Sequence, residues 1–225
     1  MTDGIGSMVK LQASDGFTLE GFEAAAQGDK RGGVVILQEI FGVTDQLKGV
    51  ARHYARQGFD AIVPALFDRA GPGTVIPFSE GDRGRQTMMS LDKDKIMLDI
   101  AAAAARVNRG KGVSVIGFCW GGGLAARCAC ELTLNGAVSY YGTMLATHLA
   151  QTPRCPMLFH FGATDSHSPP ELIETVRTKL PTAETYVYEA GHAFANEARA
   201  NVYVKEAAEA AHARTLAFLL RTHAR

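Results

Sequence analysis

The hydrophobic residues of this chain are concentrated in six short runs that are separated by longer segments of mixed polarity. The runs cover residues 33–37, 61–64, 113–116, 137–140, 157–161 and 185–188. Several of them are nearly continuous in apolar residues, which is typical of strands that are buried on both faces of a parallel sheet. The pattern therefore predicts six strands of such a sheet, with helices on both of its faces.

The segments between and after these runs contain the signals of helices. The predicted helices extend from about 44 to 57, 86 to 107, 120 to 131, 170 to 180 and 201 to 220. Upstream, residues 9–24 alternate in polarity around Asp15 and Gly16, which predicts a β-hairpin. We therefore expect an α/β protein with a doubly wound, mostly parallel sheet, in a single domain over residues 1–225. Another three-layer α/β topology stays open, because the spacings do not give the strand order.

The charge balance of the chain limits its partners. Lys and Arg together number 23, as do Asp and Glu, so the formal net charge is zero. Binding to nucleic acid, or to an anionic membrane surface, needs a surplus of basic residues. Residues 1–10 show no signal-peptide pattern, and no stretch approaches the roughly 20 apolar residues of a membrane-spanning helix. We expect a cytoplasmic protein with reduced cysteines that binds neither nucleic acid nor membranes.

One segment, residues 67–85, interrupts the alternation of strands and helices and is rich in Gly and Pro. A loop of this length inside a compact domain usually has a function or is mobile. It carries Arg69, Arg83 and Arg85, whose charges would attract an anionic substrate. A solvated surface loop is the alternative interpretation.

The most informative segment is Gly117-Phe118-Cys119-Trp120-Gly121, which joins the third run to a predicted helix. Gly-x-Cys-x-Gly is the pattern of a nucleophile elbow with cysteine in place of serine. Such a cysteine lies at the carboxyl edge of the sheet and at a helix N-terminus, where the helix dipole favours a thiolate. The backbone N–H of Trp120 would face an oxyanion. The alternatives are a structural cysteine in a glycine-rich turn and, with a poorer match, a dinucleotide-binding turn.

An acid and a histidine follow two later runs, Asp165 after the fifth and His192 after the sixth. The chain order of nucleophile, acid and histidine is that of the α/β-hydrolases, so these residues are expected to meet Cys119 at one sheet edge. Glu39 and Ile40 follow the first run. The carboxylate of Glu39 would lie beside the nucleophile, and the N–H of Ile40 would be a second oxyanion donor. A surface or helix-capping glutamate is the alternative for Glu39.

Other histidines are weaker candidates. His160 lies inside a predicted strand and is interpreted as a packed core residue. His167 is close enough in sequence to orient Asp165, but contact with solvent is the favoured interpretation. Because the chain lacks His-x-x-x-His and Cys-x-x-Cys spacings, we expect no metal site, and no cofactor is expected either.

Together with several further motifs, these residues resemble the dienelactone hydrolase family. The matching segments are 38–42, 64–67, 71–74, 117–122, 140–142, 159–162 and 189–194, together with Asp165. They occur in the family's order and cover nearly the whole chain. Each segment alone is only modest evidence for the family, but together they are specific for it. The resemblance implies an α/β-hydrolase fold and a monomeric enzyme that opens a small-molecule enol-lactone.

The same resemblance implies a Cys-His-Asp triad. Cys119 would be the nucleophile, His192 the general base and acid, and Asp165 the residue that orients His192. Glu39 would hold the resting thiol and help to generate the thiolate when substrate arrives, which would also protect the thiol from oxidation. The backbone amides of Ile40 and of the residue after the cysteine would form the oxyanion hole.

The chain departs from the family where the substrate carboxylate binds. The family uses two arginines, one before the long helix, where Arg85 is the nearest counterpart and Arg83 the next. The other lies a few residues after the histidine, where this chain has Asn196 and the nearest positive charge is Arg199. Because asparagine carries no charge, recognition of the substrate carboxylate is weakened. The resemblance therefore supports the family's type of reaction more strongly than its substrate for this chain. The alternatives are a carboxylesterase or thioesterase acting on another small ester, a glutaminase-like cysteine enzyme, and a non-catalytic binding protein or thiol sensor of the same fold.

Overall fold

The computed structural model describes residues 5–224, which form eight strands and seven α-helices. The chain divides into two compact units, with the boundary between Val113 and Ser114. The predicted α/β class is confirmed, whereas organisation as a single domain over residues 1–225 stays a prediction. Within the described residues, no helix combines the length and the apolar character that crossing a membrane requires.

The first unit contains four strands and three α-helices. The strands are β1 (Ser7–Gln12), β2 (Thr18–Ala24), β3 (Gly32–Leu37) and β4 (Phe59–Pro64). The helices are α1 (Asp45–Arg56), α2 (Gly81–Ser90) and α3 (Lys93–Val107), and Leu66–Arg69 form a short 3-10 helix. Within this unit the strand order is β1-β2-β4-β3. The predicted hairpin is the antiparallel pair of β1 and β2, and β3 pairs with β4 in parallel.

The second unit continues the alternation of strands and helices. Its strands are β5 (Val113–Phe118), which starts at the boundary, β6 (Gly136–Tyr140), β7 (Met157–Gly162) and β8 (Glu184–Tyr188). Its helices are α4 (Trp120–Glu131), α5 (Leu145–His148), α6 (Pro170–Lys179) and α7 (Lys205–His223). The strands pair in parallel in the order β5-β6-β7-β8. Their carboxyl ends therefore meet at one edge, where the residues that follow them lie side by side.

The six apolar runs form strands because most of them can bury both of their faces. Every residue of β3, β4, β5, β6 and β7 is buried, which agrees with their continuous apolar pattern. In contrast, β8 lies at the end of the strand order and is mostly half-buried. All six predicted strands are thus confirmed.

The long helix predicted over residues 86–107 is wrong, because the structure has two helices there. Leu91 is extended, and the carboxylate of Asp92 accepts hydrogen bonds from the N–H groups of Asp94 and Lys95 (2.9 and 3.2 Å). An aspartate that caps the next helix stabilises the break. The first of the two helices, α2, begins at Gly81, inside the predicted loop.

The last helix also begins later than predicted, at Lys205 instead of residue 201. The N–H groups of Val202 and Tyr203 both donate to the carbonyl of Arg199 (2.9 and 3.0 Å). This tight turn uses the residues that were expected to form the first helical turn.

Candidate active site

Cys119 occupies the sharp turn between β5 and α4. Its backbone has φ 54° and ψ −116°, a conformation that is strained for a residue with a side chain. The surrounding backbone holds it there, since the N–H of Cys119 donates to Tyr140 O (3.0 Å) and its carbonyl accepts from Gly122 and Thr143 (2.9 and 3.1 Å). The predicted strand–turn–helix setting of the elbow is therefore present.

This turn requires a glycine at position 117, two residues before Cys119. A Cβ atom on Gly117 would overlap the carbonyl oxygen of Gly121 and lie 2.7 Å from the backbone nitrogen of Gly122. The first turn of α4 thus packs directly on the end of β5. Trp120 is the first residue of α4, where the backbone N–H groups of a helix point out of its N-terminal end.

Asp165 and His192 are brought together from the loops that follow β7 and β8. The Nδ1 atom of His192 lies 2.8 Å from Oδ2 of Asp165. The side chain of Asp165 has 0% exposure and that of His192 has 23%. Burial raises the pKa of Asp165, but the hydrogen bonds from His192 and from the backbone of His167 outweigh it and lower the pKa. The carboxylate is therefore ionised next to the imidazole at neutral pH.

The imidazole of His192 is hydrogen-bonded to Cys119 as well as to Asp165. Burial lowers the pKa of His192, but its hydrogen bonds and electrostatic interactions with Asp165 and Cys119 outweigh it. They raise the pKa from its ordinary value of 6.5 to about 10. At neutral pH the ring is thus protonated on both nitrogens and positively charged. It lies where it can exchange a proton with the sulfur of Cys119.

Two aromatic residues pack around the histidine. The ring of Tyr141 contacts that of His192 edge to face, with 5.2 Å between the centroids, and Phe194 contacts Tyr141 at 5.3 Å. Tyr141 and Phe194 are both buried. Ala193, directly after the histidine, has φ 61°. The sharp turn and the aromatic wall together fix the direction of the imidazole.

His167 contacts this pair and also has the contact with solvent that the sequence favours. Its backbone N–H donates to Oδ1 of Asp165 (2.8 Å), and its Nδ1 lies 3.2 Å from the same oxygen. Its ring lies 4.5 Å from that of His192 between centroids, while 51% of its side chain remains exposed. The only sequence signal for this contact is the Asp-x-His spacing, which suits a turn closed by the aspartate side chain.

His160, by contrast, is the core residue that the sequence predicts. Its two ring nitrogens lie 2.8 Å from the hydroxyl of Tyr188 and 3.0 Å from that of Thr215. Burial holds the pKa of His160 well below its usual range. The ring is thus a neutral, hydrogen-bonded part of the core.

The predicted residues of the first unit lie near one loop. Glu39 is buried and Ile40 lies in a turn, both just after β3. Helix α2 packs against this turn through Gly84, on which a Cβ atom would overlap the carbonyl oxygen of Ile40. Arg83 and Arg85 are exposed on α2, so their predicted position in a loop is wrong.

The arginines of this region differ in their partners. Arg83 forms an ion pair with Glu80 (2.9 Å). Arg69 is paired with Asp99 and Asp15 (2.7 and 3.0 Å). The predicted role of Arg69 in attracting an anion is therefore not supported, because two carboxylates already balance its charge.

Asn196 and Arg199 follow the histidine in the second unit. Asn196 is buried, and its Oδ1 accepts a hydrogen bond from the N–H of Ala198 (3.2 Å). Arg199 is half-buried, and its N–H donates to the carbonyl of Asn196 (3.0 Å). The two residues thus belong to one compact turn.

Comparisons with known proteins identify the family of this chain. The model of the dienelactone hydrolase family matches residues 19–223. A carboxymethylenebutenolidase from a Pseudomonas species is 35% identical, with 84% of each chain covered. Another, from Pseudomonas putida, is 32% identical, and the match covers 97% of this chain and 96% of the relative.

A solved structure shows the same fold. It is a dienelactone hydrolase-like promiscuous phosphotriesterase from metagenomic libraries, with a TM-score of 0.77 and 22% identity. The match covers 97% of this chain and 99% of that chain. The α/β-hydrolase fold is therefore confirmed. Because the family model and these relatives span nearly the whole sequence, the chain belongs to the dienelactone hydrolase family and is a hydrolase of ester or lactone bonds.

Proposed function

We propose that this hydrolase opens an enol-lactone, or a related small ester, through a Cys-His-Asp triad. Cys119 is the nucleophile, His192 the general base and acid, and Asp165 the residue that orients His192. The observation that carries the proposal is the hydrogen-bonded chain from Cys119 through His192 to the buried carboxylate of Asp165. A nucleophile, a base and an orienting acid in contact are the components of covalent acyl transfer.

The reaction has two steps. Glu39 takes the proton of the Cys119 thiol, the resulting thiolate attacks the carbonyl carbon, and backbone N–H groups of Trp120 and Ile40 stabilise the oxyanion that forms. The ring C–O bond then breaks, His192 gives its proton to the leaving oxygen, and an acyl-thioester forms. In the second step His192 takes a proton from water, and the hydroxide attacks the thioester. The C–S bond breaks, the acid leaves, and the thiolate of Cys119 regains its proton from Glu39. We expect the enzyme to work as a cytoplasmic monomer without a cofactor.

Glu39 is proposed to act at the start of the first step. Its buried carboxylate follows β3 in a turn that α2 supports. In this proposal it accepts a hydrogen bond from the resting thiol and takes the proton when substrate arrives, which leaves the thiolate. The enzyme would then expose a reactive sulfur only during turnover, which limits oxidation of Cys119.

The substrate carboxylate is proposed to bind mainly to Arg85. Its guanidinium is exposed on α2, whereas Arg83 already pairs with Glu80. Asn196 offers only neutral hydrogen bonds, and Arg199 supplies the remaining positive charge. Because the contact at Asn196 is neutral, uncharged small esters are a second class of substrate.

Replacement of the sulfur tests the triad. Cys119→Ala should lower kcat on a dienelactone and on an aryl ester by about a thousandfold or more, since triad members act as a unit. Cys155→Ala is the matched control, because Cys155 is half-buried and burial raises its pKa to about 12. Mass spectrometry should find an acyl group on Cys119 after a rapid quench. Full activity of Cys119→Ala would refute the mechanism, and labelling by iodoacetamide without any turnover of the wild type would instead favour a thiol sensor.

A further inference from the structure

Three nitrogen and oxygen donors converge on the solvent side of the Asp165–His192 pair. Asp165, His167 and His192 each offer one donor atom, and these atoms all lie within 4.8 Å of one another. One oxygen of Asp165 lies 3.2 Å from Nδ1 of His167, and the other lies 2.8 Å from Nδ1 of His192. The centroids of the two imidazole rings lie 4.5 Å apart.

This spacing is close to what a tetrahedral metal ion requires. Bonds of about 2.0–2.1 Å to nitrogen and oxygen place neighbouring tetrahedral ligands about 3.3 Å apart. The separations of 2.8 and 3.2 Å, which involve different oxygens of Asp165, are shorter than this by about half an ångström or less. One donor atom from each of the three residues lies within 4.8 Å of the others, so rotation of the rings and of the carboxylate would bring all three onto one ion. Half of the His167 side chain is exposed while the Asp165 side chain is not, so an ion would enter past His167 and keep water as a further ligand.

We propose that Asp165, His167 and His192 form an inhibitory binding site for zinc and similar divalent transition-metal ions. Two imidazoles and one carboxylate favour zinc, cobalt and nickel over magnesium and calcium, which prefer oxygen ligands. Binding replaces the Nδ1 proton of His192, which leaves to solvent, and breaks the hydrogen bond to Asp165. This departs from the sequence expectation that the chain has no metal site.

The effect on activity rests on the proposed function, because it assumes that His192 needs Asp165, but metal binding itself does not. Binding is therefore measured without substrate, by calorimetric titration of zinc into the full chain. Inhibition of ester hydrolysis is measured separately, relative to the metal-free rate of each variant. If the triad mechanism proved wrong, the measured zinc affinity would be unaffected. If zinc did not bind, the triad mechanism would likewise be unaffected.

His167→Phe is the central variant. It retains an aromatic ring against His192 but removes the donor nitrogen, and we expect at least about a tenfold loss of zinc affinity. His167→Cys restores a donor and should bind zinc within about tenfold of the wild type. His53→Phe is the matched control, since it removes a half-buried histidine from α1 in the other unit and should leave zinc affinity unchanged.

Cobalt distinguishes the site from a zinc ion held by Cys119 and His192. Cobalt on imidazole and carboxylate ligands gives visible absorption without a thiolate charge-transfer band in the near ultraviolet. A strong thiolate band that disappears in Cys119→Ser would overturn the proposal. Zinc affinity in His167→Phe equal to that of the wild type, or an equal loss in His167→Phe and His167→Cys, would also overturn it.

Discussion

The backbone of Gly121 approaches Gly117 so closely that any side chain on Gly117 would overlap the carbonyl oxygen of Gly121. The two glycines therefore allow the first turn of α4 to rest on the last residues of β5. The position of the Cys119 sulfur depends on this contact, because backbone hydrogen bonds on both sides of the cysteine fix its strained φ of 54°.

Gly117→Ala should destabilise the protein and reduce turnover. The added methyl group meets backbone atoms that cannot move without shifting the elbow, and we expect a loss of about 3 kcal/mol in the free energy of unfolding. Denaturant titration measures this change. Gly49→Ala is the control, because Gly49 lies inside α1 with open space around it. It should stabilise the protein by about 0.5–1 kcal/mol, and equal effects of the two substitutions would contradict the argument.

Asp165→Asn should lower kcat by about a thousandfold or more. The amide cannot stabilise the protonated ring of His192, and it permits the wrong tautomer. The pKa of His192, followed by NMR of the imidazole, should fall toward its ordinary value because the largest favourable hydrogen bond is lost. Asp45→Asn removes an exposed carboxylate and should change neither quantity. An unchanged kcat in Asp165→Asn would exclude its proposed role.

The stability of the protein should depend on the protonation of His192. The folded-state pKa is raised from 6.5 to about 10, so the protonated ring stabilises the fold fully below pH 6.5. This contribution is lost as the pH rises toward 10. The difference in unfolding free energy between the wild type and His192→Gln should shrink by about 2 kcal/mol from pH 6 to pH 10, since partial exposure screens the interactions. A difference that stays constant across this range would contradict the raised pKa.

Arg85→Ala should raise KM for a carboxylate-bearing lactone by about 10- to 100-fold, the effect of losing a charged hydrogen bond. KM for an uncharged aryl ester should stay the same. Arg83→Ala serves as the matched control on the same helix, where the ion pair with Glu80 already balances the charge. If both substrates lose affinity equally, Arg85 supports α2 instead of binding the carboxylate.

Local patterns in the sequence were enough to predict the strands and the turn that holds Cys119. Continuous apolar runs marked β3 to β7 because these strands bury both faces, and glycine spacing marked Cys119 because the turn tolerates no side chain on Gly117. The break before α3 was missed because Leu91 suits a helix and only the cap formed by Asp92 stops it. The contact of His167 depends on a turn that the Asp165 side chain closes.

The pairing of Arg69 with Asp99 shows a different limit. The two residues are 30 positions apart, and no local pattern connects them. Only the packing of α3 against the neighbouring elements brings the carboxylate to the guanidinium. Tertiary charge pairing of this kind decides which arginines have a positive charge that no neighbouring carboxylate already balances.

Helix α2 buries only Gly84, and its other side chains are half-buried or exposed. Substitutions along its outer surface, at Arg85 or Met89 for example, therefore cost little folding stability. They alter a part of the enzyme that is separate in sequence from the sulfur, the imidazole and the carboxylate. If Arg85 binds the substrate carboxylate as proposed, selectivity can therefore be changed by substitutions on α2 that leave Cys119, His192 and Asp165 untouched.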